Sequence, residues 1–224
     1  MLPSIQPMPL LKRRFAFDDP NWIFELKYDG FRALVVLKNG KAQLISRNGN
    51  PFASFTDLCR QIEATLPKAD ETILDGEIVC TDAEGKPRFN DLLFHRGAPC
   101  FFAFDLLKRD GKDIRLQSLS ERKHELRWLL AKISPPFPLR YADHLEGKGT
   151  ALFERVCELD LEGIVTKQKH APYVSDRDAS TWFKILNPAY SQRKGREELF
   201  ERDRHSEPVP GWHSCDLACA NLPA

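Results

Sequence analysis

Lys27 stands in the run Glu25-Leu26-Lys27-Tyr28-Asp29-Gly30-Phe31-Arg32, with apolar Trp22-Ile23-Phe24 before it and Ala33-Leu34-Val35-Val36 after it. A lysine held between two strands, with a carboxylate and a guanidinium nearby, is placed to act as a nucleophile. Its ammonium becomes a reactive amine through desolvation or through neighbouring cations. That amine can attack an activated phosphate and hold it through a nitrogen–phosphorus bond. Two carboxylates stand out beside it. Glu77 follows Leu74-Asp75-Gly76, and Glu162 precedes Gly163-Ile164-Val165-Thr166-Lys167; each sits at the end of an apolar stretch next to glycine. Mg²⁺ takes oxygen ligands and often one or two carboxylates plus substrate phosphates, so both are candidate metal ligands. Arg32 and Arg47 carry the planar donor fork that grips phosphate with two parallel hydrogen bonds.

These side chains need a scaffold, and the pattern supplies one. From Trp22 to Ser46 the chain reads strand, tight turn, strand, turn, strand, with Gly30 and Asn39-Gly40 as the turns. Thr56 to Leu66 reads as a helix capped by Thr56, with Leu58, Ile62 and Leu66 four apart. Ile73 to Cys80 is a strand interrupted by Asp75-Gly76, and Phe101 to Leu107 is an apolar run of strand length. Ser118 to Lys132 reads as a helix capped by Ser118 or Ser120, with Leu126, Leu129 and Leu130 on one face. Pro135, Pro136 and Pro138 stop it. Leu139-Arg140-Tyr141 is a short strand, Gly149 to Leu159 a helix, and Gly163 to Lys167 and Thr181 to Leu186 are short strands. Strands and helices do not alternate strictly, which argues against a doubly wound parallel sheet. The pattern predicts an irregular lead-in over 1–20, one folded domain over 21–190, and a charged tail over 191–224.

The bulk composition agrees with a globular chain. It has 224 residues, of which 42% are hydrophobic and 29% charged, enough for one large domain. The 33 basic and 32 acidic residues nearly cancel, so any nucleic-acid surface must be a local cluster. The N-terminus lacks an export pattern, and no apolar run approaches the roughly 20 residues needed to span a bilayer. A cytoplasmic protein, nucleoid-associated if bacterial, is expected. Six cysteines (Cys59, Cys80, Cys100, Cys157, Cys215, Cys219) lack paired spacing and read as reduced thiols. Cys215 and Cys219 near His213 fit no common zinc spacing.

Taken singly, the Lys-x-Asp-Gly-x-Arg string also describes a charged surface hairpin, and a strand-end Glu is often only a weak ion pair. The series is more specific. After the Lys27 run come Ser46-Arg47-Asn48-Gly49, Leu74-Asp75-Gly76-Glu77, Phe102-Ala103-Phe104-Asp105-Leu106, Glu162-Gly163-Ile164-Val165-Thr166-Lys167, and Trp182-Phe183-Lys184-Ile185. In this order and spacing the sequence resembles the covalent nucleotidyltransferases, most of all the adenylation domain of ATP-dependent DNA ligases, over about residues 20–190. The resemblance implies an α+β, ATP-grasp-like nucleotidyltransferase fold, with antiparallel sheets flanked by helices and the nucleotide site between them. It implies ATP as substrate, with Mg²⁺, or Mn²⁺ in its place, as the metal. The partner it implies is nicked double-stranded DNA, with a clamp or repair partner supplying encirclement; the oligomeric state is left open.

The same resemblance assigns roles. Lys27 would be the nucleophile, Asp29 would orient it or meet the ribose, and Lys184 would lie at the phosphates. Glu25 would line the adenine pocket, Phe104 would stack on the base, and Arg32 would contact the AMP. Glu77 would reach the ribose and assist with metal, Glu162 would hold metal and phosphate, and Lys167 would add positive charge. Arg47 would meet the 5′-phosphate of the nick. The match departs at two places. Leu186 fills a slot where the family usually carries a second lysine, and Arg193 or Lys194 would be the nearest compensating cations. The 37 residues after Asn187 show no strand pattern, so the oligonucleotide-binding barrel of the family is not expected in this chain. Two other readings stand beside the first: an RNA ligase or capping-type guanylyltransferase, and a catalytically weakened nucleotide- or nucleic-acid-binding module.

Overall fold

The computed structural model describes residues 5–131, 133, 138–175 and 180–192. The chain divides after Tyr190: residues 1–190 form one unit, and the tail beginning at Ser191 forms another. The tail beyond Gln192, with Arg193, Lys194 and the His213, Cys215 and Cys219 group, lies outside the described residues.

In chain order the elements are β1 (Leu11–Lys12), β2 (Trp22–Leu26), β3 (Phe31–Lys38), β4 (Lys41–Ser46), α1 (Thr56–Thr65), β5 (Thr72–Val79), α2 (Phe89–Leu93), β6 (Cys100–Arg109), β7 (Lys112–Asp113), α3 (Leu119–Leu130), β8 (Leu139–Tyr141), β9 (His144–Glu146), α4 (Gly149–Glu158), β10 (Gly163–Gln168) and β11 (Trp182–Leu186). They build two sheets. One runs β1-β11-β10-β2-β9; the other runs β4-β3-β5-β6-β7, with β8 beside β6. All pairings are antiparallel except β1 with β11 and β6 with β8. The α+β class expected from the sequence is the one observed.

Strand β3 shows why its sequence is apolar at every step. Ala33, Val35 and Leu37 enter the core beneath α1 and α3, whereas Leu34 and Val36 enter a second core shared with Ile23 and Trp182 of the other sheet. A strand covered on both faces has no reason to alternate. A third cluster, Phe24, Val156, Ile164 and Ile185, seats α4 on the first sheet. The site therefore lies where two sheets face each other, each backed by helices.

Local expectations were met unevenly. The Asn39-Gly40 hairpin forms, with both residues at positive φ and Lys38 opposite Lys41, as a two-residue turn of the primed kind requires. Helix α3 opens with a complete capping box: Glu121 N–H donates to Ser118 Oγ at 3.3 Å, and Ser118 N–H to the Glu121 carboxylate at 2.9 Å. Thr56 is not a cap. It is the first residue of α1, preceded by a 3₁₀ turn at Ala53–Phe55, and its hydroxyl donates back to the Ala53 carbonyl. The short elements β1, β7, β9 and α2 were not anticipated. Residues 5–20, expected as a lead-in, contribute β1 and the fully buried Met8.

The largest difference concerns Gly30. Its turn does not close a hairpin, because β2 and β3 belong to different sheets. Residues 27–30 instead carry the chain across the cleft. Only glycine passes there: a Cβ on Gly30 would stand 2.1 Å from the Ile78 carbonyl oxygen and 3.0 Å from Glu77 Cγ.

Candidate active site

That crossing puts Lys27 at the mouth of a cavity lined by side chains of both sheets. Of the residues singled out in the sequence, Glu25, Lys27, Arg32, Glu77, Phe104 and Lys167 line it, together with Leu10, Tyr28 and Trp182. The Lys27 backbone N–H is fixed by the Gly163 carbonyl at 2.9 Å, and its Nζ donates to Glu162 Oε2 at 2.8 Å. Both side chains keep a small opening to solvent, 17% and 14%. The amine and the carboxylate thus stand as one partly open pair at the edge of the cavity.

Glu77 leaves β5 opposite Arg32 of β3. Burial pushes its carboxyl up to about 7, against the pull of Lys27 and Arg32 and with the push of Glu162 and Asp75. These five groups thus sit within electrostatic reach of one another. Lys184 on β11 has its ammonium disfavoured, first by burial, then by Lys27, and further by Lys12 and Arg47, against the favourable Glu162. Arg47 itself is exposed in the turn after β4, outside the cavity lining. Asp29 does not line the cavity either. It is buried and accepts a hydrogen bond from the Tyr190 hydroxyl at 3.0 Å, so it ties the crossing segment to the end of the domain.

The inner end of the cavity is more tightly built. Glu25 is gripped at both oxygens: Lys123 Nζ lies 2.5 Å from Oε1 and Lys167 Nζ 2.6 Å from Oε2, the latter without aligned hydrogen-bond geometry. Burial alone would raise the Glu25 carboxyl, but the two ammoniums outweigh it and hold it low. Lys167, sharing its anion with a second cation, is lowered by burial to about 8. Its Nζ rests 4.2 Å from the Phe104 ring centre and 4.0 Å from that of Trp182, where the ring faces offset part of the desolvation.

Phe104 reaches this place through a bulge. Asp75 pairs with Asp105 and Gly76 with Ala103, which leaves Phe104 as an extra residue on β6. A bulge re-aims a side chain, here toward the cavity. The same slip sets two fully buried aspartates side by side, and each is neutralised. Arg32 donates to Asp75 from Nε at 3.2 Å and from Nη2 at 2.8 Å, and from Nη1 to the Met8 carbonyl at 2.7 Å. Arg122 does likewise for Asp105, at 2.9 and 2.8 Å. Tyr173 completes the network, donating to Asp75 at 2.7 Å and accepting from the Met8 N–H at 2.7 Å. Asp75, Lys123, Arg122, Tyr173 and Trp182 were missed in the sequence reading. For Asp75 and Asp105 a signal existed: an acid inside an apolar strand must find a cation or a donor. Which cation it finds is not written in the neighbouring residues.

Comparison with known proteins agrees with this geometry. A model of the ATP-dependent DNA ligase domain matches residues 9–185. The chain is 30% identical to the SPbeta prophage-derived DNA ligase-like protein LigB of Bacillus subtilis, over 84% of this chain and 69% of that protein. It is 32% identical to the bifunctional non-homologous end joining protein LigD of the same organism, over 74% of this chain but 31% of that protein. Among solved structures, a mycobacterial DNA ligase D complexed with ATP and MES superposes with a TM-score of 0.72 at 28% identity, covering 82% of this chain and 60% of that one. The chain thus spans most of LigB, a third of LigD and about three fifths of the ligase structure. Among the described residues no helix is long and apolar enough to cross a membrane. A lysine presented to a carboxylate-flanked cavity between two sheets, in a chain matched by the family model over residues 9–185, gives the assignment: this chain belongs to the ATP-dependent DNA ligase domain family.

Proposed function

We propose that the chain is the catalytic core of an ATP-dependent DNA ligase that works through a lysyl-AMP intermediate. The observation that carries this is the convergence of Lys27, Glu77, Arg32, Phe104 and Lys167 on one cavity, with Glu162 hydrogen-bonded to the Lys27 amine. In the first step the neutral Nζ of Lys27 attacks the α-phosphorus of ATP; the nitrogen–phosphorus bond forms, the bond to pyrophosphate breaks, and the nitrogen sheds a proton. Glu162 is the nearest base for it. In the second step a 5′-phosphate oxygen at a DNA nick attacks the same phosphorus and Lys27 leaves, regaining a proton. In the third the 3′-hydroxyl attacks the activated 5′-phosphate and AMP departs.

Each residue has a part in this scheme. Lys184 brings a second cation beside Lys27 and stabilises negative charge growing on the phosphate. Phe104 offers a ring to the base, an arrangement worth roughly 1–3 kcal/mol. Glu25, held rigid, offers a carboxylate at the inner end of the pocket. Arg32 is committed to Asp75 and Met8, so it shapes the nucleotide site and contacts AMP through its remaining donors. Asp29 acts on Lys27 by anchoring the crossing segment to Tyr190. Arg47, exposed beside the cationic group, is placed for the nick phosphate.

The two carboxylates fit a divalent cation that shares its ligands with substrate. Glu162 and Glu77 sit within electrostatic reach of each other and of Lys27, and Mg²⁺ would be held by these two carboxylates together with phosphate oxygens. Mg²⁺, or Mn²⁺, would supply positive charge at the phosphate. The test is to incubate the chain with Mg²⁺ and ATP or GTP labelled at the α-phosphate and look for label on the denatured protein that survives alkali and is released by acid, as a nitrogen–phosphorus bond to lysine is. ATP label that disappears in Lys27→Ala supports the reading; label from GTP alone points to a guanylyltransferase, and no label from either removes the covalent step. Sealing of a nicked duplex by the full chain, alone and with a clamp or repair protein, tests the later steps.

A further inference from the structure

Strand β1 is two residues long, yet its position is specific. It pairs in parallel with β11, placing Leu11 beside Phe183 and Lys12 beside Lys184, and the Arg13 N–H donates to the Lys184 carbonyl at 3.0 Å. Neighbours in register point to the same face of a sheet. The face is the active one. Lys184 is registered with Val165, and Val165 with Glu25, and both of these line the cavity. Lys12 is exposed, so its ammonium is available to a ligand. The next residue on this face of β11 is Leu186, which brings no charge.

We propose that Lys12 is a phosphate-binding residue of the nucleotide site, delivered by β1 to the place beside Lys184 and supplying the cation that Leu186 does not. The inference rests on the nucleotidyl-transfer reading above. A neighbour across the strands stands about 4.8 Å away and one two residues along about 6.7 Å away, so Lys12 and a lysine at 186 would flank Lys184 at similar reach. Lys12 and Lys184, in register on neighbouring strands, are like charges held at close reach. A triphosphate beside them relieves this repulsion, and the relief strengthens binding of the anion. Lys12 and Lys184 come from opposite ends of the domain, and strand register brings them together.

The experiment is single-turnover labelling of the full chain with ATP and Mg²⁺ over a range of ATP concentrations. Lys12 contributes an exposed side chain to a backbone-paired strand, so Lys12→Met leaves the fold in place, checked by thermal melting. Labelling by Lys12→Met should fall at least about 10-fold, as for loss of one phosphate-directed donor. Lys12→Arg should keep most of the rate, and Leu186→Lys placed in the Lys12→Met background should restore it. Lys12→Met at the rate of the unaltered chain overturns the proposal, and so does a loss that neither Lys12→Arg nor Leu186→Lys relieves. Should the unaltered chain take no label, the covalent reading fails separately. The dissociation constant for ATP then decides: about 10-fold weaker for Lys12→Met supports the assignment, and an unchanged value sinks it.

Discussion

The two ends of the cavity are built on opposite principles. At the inner end the carboxylates are buried and each is held at both oxygens: Glu25 by Lys123 and Lys167, Asp75 by Arg32 with Tyr173, Asp105 by Arg122. At the mouth the Lys27–Glu162 pair keeps an opening to solvent, Lys184 is half-buried among other cations, and Arg47 is exposed. A buried charge stripped of its partner has no water to fall back on, so the inner network is fixed in one geometry. The outer groups must exchange partners during a reaction, since Lys27 cannot attack while its proton stays with it. On the proposed function, the contrast separates a rigid receptor for the nucleotide from a chemical face that rearranges.

The largest expected effect splits the two ends by activity. Lys27→Met should take covalent labelling below detection while changing unfolding free energy by about 1 kcal/mol or less, as for a partly exposed pair. A melt shifted as far as that of an inner-end variant would erase the distinction. Arg122→Met is the converse. It leaves Asp105 buried without its guanidinium and should cost about 3–5 kcal/mol, read by denaturant titration; a loss under 1 kcal/mol would show that the inner network is not what holds the domain.

A third test uses pH. His144, on β9 in register with Glu25, is pushed down to about 4 by burial and by Lys123, against Glu25, with Arg127 lowering and Glu146 raising it further; Tyr141 contacts its ring at 3.3 Å. A base whose folded pKa lies below its unfolded value, near 6.5, stabilises the fold above that unfolded value. The contribution is lost as pH falls from 6.5 toward 4. His144→Gln should therefore lose less stability than the unaltered chain across that window, in melts taken at each pH; parallel curves would reject the assignment. The smallest effect is expected at Tyr190→Phe. It removes one hydrogen bond to buried Asp29 and should cost about 1 kcal/mol, with a fall in labelling if Asp29 acts by anchoring the crossing segment. Unchanged labelling would confine Asp29 to stability.

Much of this protein was legible before any coordinates. Local chemistry sets the Asn39-Gly40 hairpin and the Ser118–Glu121 capping box, because each is satisfied by groups within four residues. The six motif stretches singled out Lys27, Glu77, Glu162, Phe104 and Lys184, and the fold brings Lys27, Glu77 and Phe104 to one cavity. The fate of Gly30 was not legible: its residues suit a hairpin turn equally well, and only the pairing of β2 with β10 and β3 with β5 sends them across a cleft. The bulge that aims Phe104 depends on a one-residue slip between strands 30 positions apart; the Asp75-Gly76 interruption marks the place on β5, but nothing local fixes its partner on β6. Partners of buried charge were hidden for the same reason. Asp75 needs some cation, but Arg32 and Tyr173 lie 43 and 98 residues away, and Lys123 meets Glu25 across 98. Residue type and short spacing determined what this chain can do chemically; long-range strand register, which is decided only when two sheets bury their faces together, determined which of those groups stand close enough to do it.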